Sequence, residues 1–179
     1  MRVGEIFGPL EEKGRVAILS GREREVTGMT IDSRAVRRGD LFAALPGENS
    51  DGHRYLAAAV SAGAAALLVQ KSSWNPRETA GASLIETDRT RDVLGEAAAR
   101  FYGSPAERLE LFGVTGPNGK TSITWLLEAL FREAGIRTGV IGTVEYRWAG
   151  RREGASCTTP EAVDLQRLLA EMAGDGIEV

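Results

Sequence analysis

The sequence predicts an α/β protein: a small N-terminal α/β domain followed by the start of a P-loop ATPase-like parallel-sheet domain. Three observations support this. From residue 26 onward, short apolar runs alternate with stretches of helical period. A Gly-rich turn at 116–122 joins one apolar run directly to a helical stretch. Between the two series lies Tyr102-Gly-Ser-Pro-Ala-Glu107, whose composition is that of a linker. The expected division is therefore residues 1–105 and residues 106–179.

Residues 1–25 are charged and weakly periodic, consistent with one short helix or strand and a loop. Val26 to Ile31 reads as a strand that runs into the polar turn Asp32-Ser33-Arg34. Leu41 to Leu45 is a second strand, and residues 46–52 (Pro-Gly-Glu-Asn-Ser-Asp-Gly) form a loop. Residues 54–62 predict a helix stopped by Gly63, followed by a buried strand from Ala66 to Val69. After a surface loop, Leu84 to Thr87 reads as a strand. A helix from Thr90 then aligns Val93, Leu94, Ala97, Ala98 and Phe101 on one face.

The second series opens with a predicted strand, Leu109 to Thr115. Beyond the Gly-rich turn, Ile123, Leu126, Leu127, Leu130, Phe131 and Ala134 recur at helical spacing, and Gly135 ends the helix. Arg137 to Val144 is the next expected strand, which makes a right-handed βαβ unit. A hairpin or loop is expected around Tyr146 to Gly154. Pro160 suits the first position of a last helix, with Thr159 as its N-cap and Leu165, Leu168, Leu169 and Met172 inward. Residues 176–179 (Gly-Ile-Glu-Val) read as the opening of another strand. A parallel sheet left open there marks the chain as part of a longer protein.

Composition narrows the function classes. The chain has 179 residues, 22 basic and 25 acidic side chains, a net charge of −3 and 42% apolar residues. That much apolar material can build a core, so disorder is excluded as the dominant state. A negative net charge without a Lys/Arg run argues against a nucleic-acid groove. The single Cys157 cannot form an internal disulfide, and the single His53 excludes a His-rich zinc site. The N-terminus has no apolar signal core and no window reaches the length of a membrane span, so the expectation is a cytoplasmic protein without membrane partners.

The turn Gly116-Pro117-Asn118-Gly119-Lys120-Thr121-Ser122 carries the sharpest chemistry. Its two glycines let successive backbone N–H groups converge on phosphate oxygens, and the helix that starts there adds a partial positive charge. Lys120 is placed to reach the β- and γ-phosphates of a nucleotide, and the Thr121 hydroxyl to ligate Mg²⁺. The motif is the short Gly-x-x-Gly-Lys-Thr form, because Val114 stands where a full Walker A has its first glycine. Elsewhere plainer roles compete. Asp32-Ser33-Arg34 can be an ordinary turn, Thr159 an ordinary cap, and His53 a loop residue rather than a catalyst.

Residues 114–122 (Val-Thr-Gly-Pro-Asn-Gly-Lys-Thr-Ser) resemble the ATP loop of the Mur ligases, which build the peptide of bacterial cell-wall precursors. Thr30-Ile-Asp-Ser-Arg34, Gly39-Asp-Leu-Phe42, Gly47 and Asp51-Gly-His53 are similar to the N-terminal signature of the branch that adds the third residue. Gly139-Val-Ile-Gly-Thr143 and residues 158–166 (Thr-Thr-Pro-Glu-Ala-Val-Asp-Leu-Gln) are similar to that branch's central domain.

The resemblance implies an ATP- and Mg²⁺-dependent ligase that joins a diamino acid to UDP-N-acetylmuramoyl-L-alanyl-D-glutamate through an acyl phosphate. Gly116, Pro117, Asn118, Gly119, Lys120, Thr121 and Ser122 would hold ATP, with Lys120 catalytic and Thr121 on the metal. Ile31, Ser33 and the loop Glu48-Asn49-Ser50 would hold the uridine end of the substrate. Cys157, Thr158 and Thr159 match muramoyl-peptide contacts. Asn is common in the family at Cys157, and a thiol replaces an amide poorly in hydrogen bonding. The resemblance further implies that the second Mg²⁺ ligand, a carbamoylated lysine and the amino-acid-selecting domain lie beyond Val179. Glu178 falls several residues too early to be that ligand. The chain is thus expected to be inactive alone, to act as a monomer at full length, and to leave diaminopimelate or lysine undecided. The alternatives are the sister ligase that adds D-alanyl-D-alanine and a non-catalytic nucleotide-binding module.

Overall fold

The computed structural model describes residues 1–47, 50–155 and 158–179, which fall into two compact units, Met1–Phe101 and Tyr102–Val179. The first unit begins with helix α1 (Val3–Glu12), where the Glu5 carboxylate accepts the Arg2 N–H at 2.7 Å. Strands β1 (Ala17–Ser20), β2 (Gly28–Thr30), β3 (Asp40–Ala43), β4 (Ala66–Gln70) and β5 (Ser83–Thr87) form one sheet in the order β1-β5-β4-β3-β2. β2 to β5 run parallel, and β1 lies antiparallel on β5.

β3 and β4 are apolar on both faces because both faces are covered. Phe42, Leu67, Val69 and Leu84 pack with Leu56 and Ala59 of helix α2 (Leu56–Ser61), which Gly63 ends at φ +99°. By strand alternation Leu41, Leu68 and Ile85 point the other way. On that side α1 packs on helix α3 (Thr90–Phe101), burying Ile6, Phe7, Leu10, Val93, Leu94 and Ala97. Each such large apolar side chain stabilises the fold by about 1.5–3 kcal/mol relative to its exposed state. Because β2, β3 and β4 are parallel, the segments following them emerge at one edge of the sheet, including Ile31 to Ser33 and the loop after Leu45.

The second unit departs from its expected elements at several points. The apolar run Leu109 to Thr115 joins no strand ladder. One backbone bond, from the Glu110 N–H to the Glu178 carbonyl, ties it to the tail, and Leu111 and Phe112 are exposed. Apolar composition alone does not make a strand; a neighbour must run alongside it. Helix α4 (Lys120–Glu133) begins at the predicted residue but buries none of its own side chains. The strand expected over 137–144 shrinks to β6 (Val140–Ile141). It pairs antiparallel with β7 (Glu145–Trp148), which forms a hairpin with β8 (Arg151–Gly154), the first of the two forms expected there.

Helix α5 (Ala162–Gly174) has Glu161, not Thr159, as its N-cap, so the helix starts two residues later than Pro160 suggests. Its Leu168 and Met172 pack with Tyr146, Trp148 and Ile177. The tail keeps a trace of the expected parallel sheet. The Val179 N–H donates to the Arg137 carbonyl while the Gly139 N–H donates to the Val179 carbonyl, which is the pattern of one parallel bridge.

Candidate functional site

The phosphate-loop candidate owes its shape to its two glycines. Gly116 lies at φ +145° and Gly119 at φ +81°, conformations that a Cβ disfavours. Gly119 is the N-cap of α4, so Lys120 and Thr121 open a 14-residue helix whose first N–H groups have no acceptor within it. The Lys120 ammonium folds back across the loop and donates to the Gly116 carbonyl at 2.7 Å. One ammonium proton is met this way, and the charge sits over the turn where an anion would lie. Pro117, Asn118, Thr121 and Ser122 are exposed.

A cleft of about 740 Å³ within this unit is lined by Gly116, Lys120 and Thr121, and also by Thr158 and Thr159. The structure therefore brings the second pair of predicted contacts to the same cleft as the loop. Beyond Lys120, the cleft side of α4 carries Thr121, Thr124, Trp125, Leu127, Glu128 and Phe131. The donor set fits a nucleoside triphosphate with its divalent ion: backbone N–H groups and an ammonium for the phosphates, and an exposed hydroxyl for the metal. Among the described residues no group of three or more His, Cys, Asp or Glu side chains forms a metal cluster. Glu178 pairs with Arg137 at 3.2 Å instead of facing the cleft.

In the first unit, Ile31 and Ser33 follow β2. The turn between them is built by Asp32, whose carboxylate accepts the Arg34 backbone N–H and both Nε–H and Nη2–H of its guanidinium, at 2.7 to 3.2 Å. The Arg34 side chain, and then its backbone N–H, hold the Asp32 carboxyl below the usual carboxylate range. No hydrogen bond among the described residues engages the Ser33 hydroxyl. Ser50 sits near the edge formed by the strand ends, its hydroxyl 3.1 Å from that of Tyr55. Glu48, Asn49 and Cys157 lie outside the described residues.

His53 does have a carboxylate beside it, which the sequence reading did not place there. Its buried ring donates from Nδ1 to Asp51 Oδ1 at 2.6 Å and accepts the Gln70 backbone N–H on Nε2 at 2.9 Å. Both nitrogens are used, which makes it a structural residue. The Asp-x-His spacing was the available signal. A second feature missed was Arg147 of β7, buried against α4, where its guanidinium forks onto Glu128.

Comparison with known proteins bears on both units. Residues 25–102 match the Mur ligase family, catalytic domain, and residues 114–179 match the Mur ligase middle domain. This chain belongs to the Mur ligase family. It is 39% identical over 176 residues to the UDP-N-acetylmuramoyl-L-alanyl-D-glutamate–2,6-diaminopimelate ligase of Geobacter metallireducens, covering 98% of this chain and 33% of that protein. Against the ligase of the same name from Lawsonia intracellularis it is 44% identical over 164 residues, covering 91% of this chain and 33% of the relative. The chain thus spans about a third of the length of these Mur ligases.

Solved Mur ligase structures share its fold. A diaminopimelate ligase structure matches with a TM-score of 0.70 at 24% identity, over 99% of this chain and 34% of that one. A MurF ligase from Thermotoga maritima, solved with ADP, matches with a TM-score of 0.52 at 23% identity, over 80% of this chain and 29% of its own. No helix among the described residues is long and apolar enough to cross a membrane.

Proposed function

We propose that this chain is the part of an ATP-dependent ligase that holds UDP-N-acetylmuramoyl-L-alanyl-D-glutamate and the phosphates of ATP. The ligase adds 2,6-diaminopimelate to that substrate. The observation that supports this best is the common cleft of Lys120, Thr121, Thr158 and Thr159, a phosphate loop facing the predicted muramoyl-peptide contacts. Residues 1–105 are assigned the uridine end of the substrate and residues 106–179 the nucleotide. Diaminopimelate is chosen over lysine because the relatives at 39% and 44% identity carry it in their names.

Hydroxide is a poor leaving group, so a carboxylate must be activated before an amine can displace one of its oxygens. Attack of the substrate carboxylate on the γ-phosphorus of ATP forms an acyl phosphate and releases ADP. The amine of diaminopimelate then attacks the acyl carbon, and inorganic phosphate leaves with the former carboxylate oxygen as the amide forms. The chain's share is placement and charge neutralisation. The 116–122 turn cradles the phosphates through the backbone N–H groups of its residues other than Pro117, which has none. Lys120 leaves the Gly116 carbonyl to meet the negative charge that builds on the transferring phosphoryl oxygens. Thr121 offers its hydroxyl to Mg²⁺, which shields phosphate charge when bound. Thr158 and Thr159 orient the peptide end, while Ile31, Ser33 and the 48–50 loop hold the uridine.

The test is phosphate release with ATP, Mg²⁺, the UDP-dipeptide and diaminopimelate, comparing the 179-residue chain with the gene product of full relative length. The longer protein is expected to release phosphate only when the amino acid is present, and the 179-residue chain to release none. Amino-acid-dependent release by the 179-residue chain would overturn the assignment of amine selection to residues outside it. Lysine supporting release in place of diaminopimelate would overturn the choice of amino acid.

A further inference from the structure

α4 carries the phosphate loop at its first residue, yet none of its side chains is buried. Phe131 meets Phe112, ring centroids 5.3 Å apart, and the polar fastening comes from a buried cation of a neighbouring strand. Along β7, Tyr146 and Trp148 turn into the α5 core, so the strand's alternation sends Arg147 to the opposite side. There the Arg147 side chain is 10% exposed. It donates from Nε to both Glu128 oxygens at 3.0 and 3.1 Å and from Nη2 to Oε2 at 2.5 Å. Its guanidinium carbon lies 4.0 Å from the centre of the Trp125 ring, and Nη1 is 3.6 Å from Glu145. Trp125 and Glu128 sit one and two turns along α4 from Thr121, on the cleft side of the helix.

We infer that Arg147 is a positioning residue for the phosphate loop, clamping α4 through Trp125 and Glu128 so that Lys120 and Thr121 are held in register with the cleft. This rests on the nucleotide reading above. The physical case is one of geometry. The planar fork fixes both distance and angle to a carboxylate, and the ring stack fixes the fork's plane, which a lysine ammonium cannot reproduce. With so little apolar packing on α4, loss of the fork leaves the helix and the loop at its head free to shift. A shift of about an ångström at the reacting groups is enough to cost catalysis heavily.

Two readouts on the whole chain test this together: amide hydrogen exchange across α4 without nucleotide, and titration with a fluorescent N-methylanthraniloyl ATP in Mg²⁺. Arg147→Lys is expected to speed exchange in the first two turns of α4 about tenfold and to weaken the nucleotide about fivefold, leaving exchange in residues 1–101 unchanged. The charge reversals Arg147→Glu and Glu128→Arg should each weaken binding about tenfold or more. The double exchange should return to within about threefold of the parent. If Arg147→Ala unfolds the second unit, Arg147→Lys and Glu128→Gln decide the question. Unchanged exchange in α4, or faster exchange with unaltered nucleotide affinity, overturns the proposal. A parent chain that binds no nucleotide, and is indistinguishable from Lys120→Ala, overturns the nucleotide reading and this role with it. The exchange data then separate that failure from a clamp that does not hold the helix.

Discussion

His53 and Gln70 are joined by a hydrogen bond that uses the imidazole as an acceptor: the Gln70 backbone N–H, at the end of β4, donates to Nε2 at 2.9 Å. Asp51 accepts a hydrogen bond from the N–H of the other ring nitrogen. This fixes the tautomer and pins the start of the 3-10 turn Gly52–Tyr55 to the sheet edge where the Ile31 and Ser50 segments emerge. His53→Ala should lower the stability of the first unit by about 1–3 kcal/mol, the usual cost of leaving a buried donor unmet. His53→Gln should recover part of that loss, because an amide oxygen can accept from Gln70. Urea denaturation of the three proteins, followed by far-UV dichroism, measures the difference.

Asp51 and Asp32, together with Glu11 and Glu96, are first-unit carboxyls held below their ordinary values, and they contribute to its acid limit. Burial by itself would raise Asp51, but the backbone and ring N–H groups of His53 outweigh it and hold the carboxyl below its ordinary value. Asp32 is held down by Arg34. A carboxyl with a depressed folded pKa contributes stability above its unfolded value, near 3.9, and loses it as pH falls through the folded value. Stability should therefore be level near neutrality and decline below about pH 5 as acid is added. Asp51→Asn should be less stable at pH 7 and should show a shallower decline, read from denaturation midpoints at pH 7, 4 and 3.

Two leucines in the second unit should behave oppositely. Leu168 of α5 is fully buried, whereas Leu130 of α4 is 67% exposed. Leu168→Ala is expected to cost about 2–5 kcal/mol through lost burial and the cavity left behind. Leu130→Ala should change stability by less than about 0.5 kcal/mol. Thermal unfolding of both variants checks the sparse packing of α4, which the role assigned to Arg147 also requires.

Lys120→Ala should reduce nucleotide affinity and, in the protein of full relative length, should lower amide formation by about 10²–10³-fold or more, as loss of a group stabilising transition-state charge does. The loop holds no other cation to replace it. Near-normal turnover in a coupled phosphate assay would refute the role.

How much of this was legible in the sequence depends on whether local pattern or a partner decides each element. The strand at β4, helix α3 with its Val93, Leu94 and Ala97 face, the hairpin and the helix start at Lys120 all follow from local periodicity and turn residues. α1 was obscured because Pro9 and two glycines interrupt its pattern, while burial of Ile6, Phe7 and Leu10 supplies what propensity lacks. The 109–115 run reads as a strand from composition, but its pairing depends on a neighbour that composition does not name. Thr159 satisfied the capping rule, yet Glu161 takes the cap. At the site, the glycines and lysine announce the loop. The Arg147–Glu128 fork joins residues 19 apart and leaves no motif.

A phosphate loop alone fits many nucleotide-binding proteins, so recognition of the muramoyl substrate is what separates a cell-wall ligase from the rest. The direct measurement is calorimetric titration of the chain with UDP-N-acetylmuramoyl-L-alanyl-D-glutamate in the absence of ATP, alongside Ser33→Ala. The expected result is saturable binding by the parent, weakened about tenfold by Ser33→Ala, the usual scale for one lost hydrogen bond to a ligand. No binding heat at millimolar ligand, with the first unit shown to be folded, would contradict the proposed function.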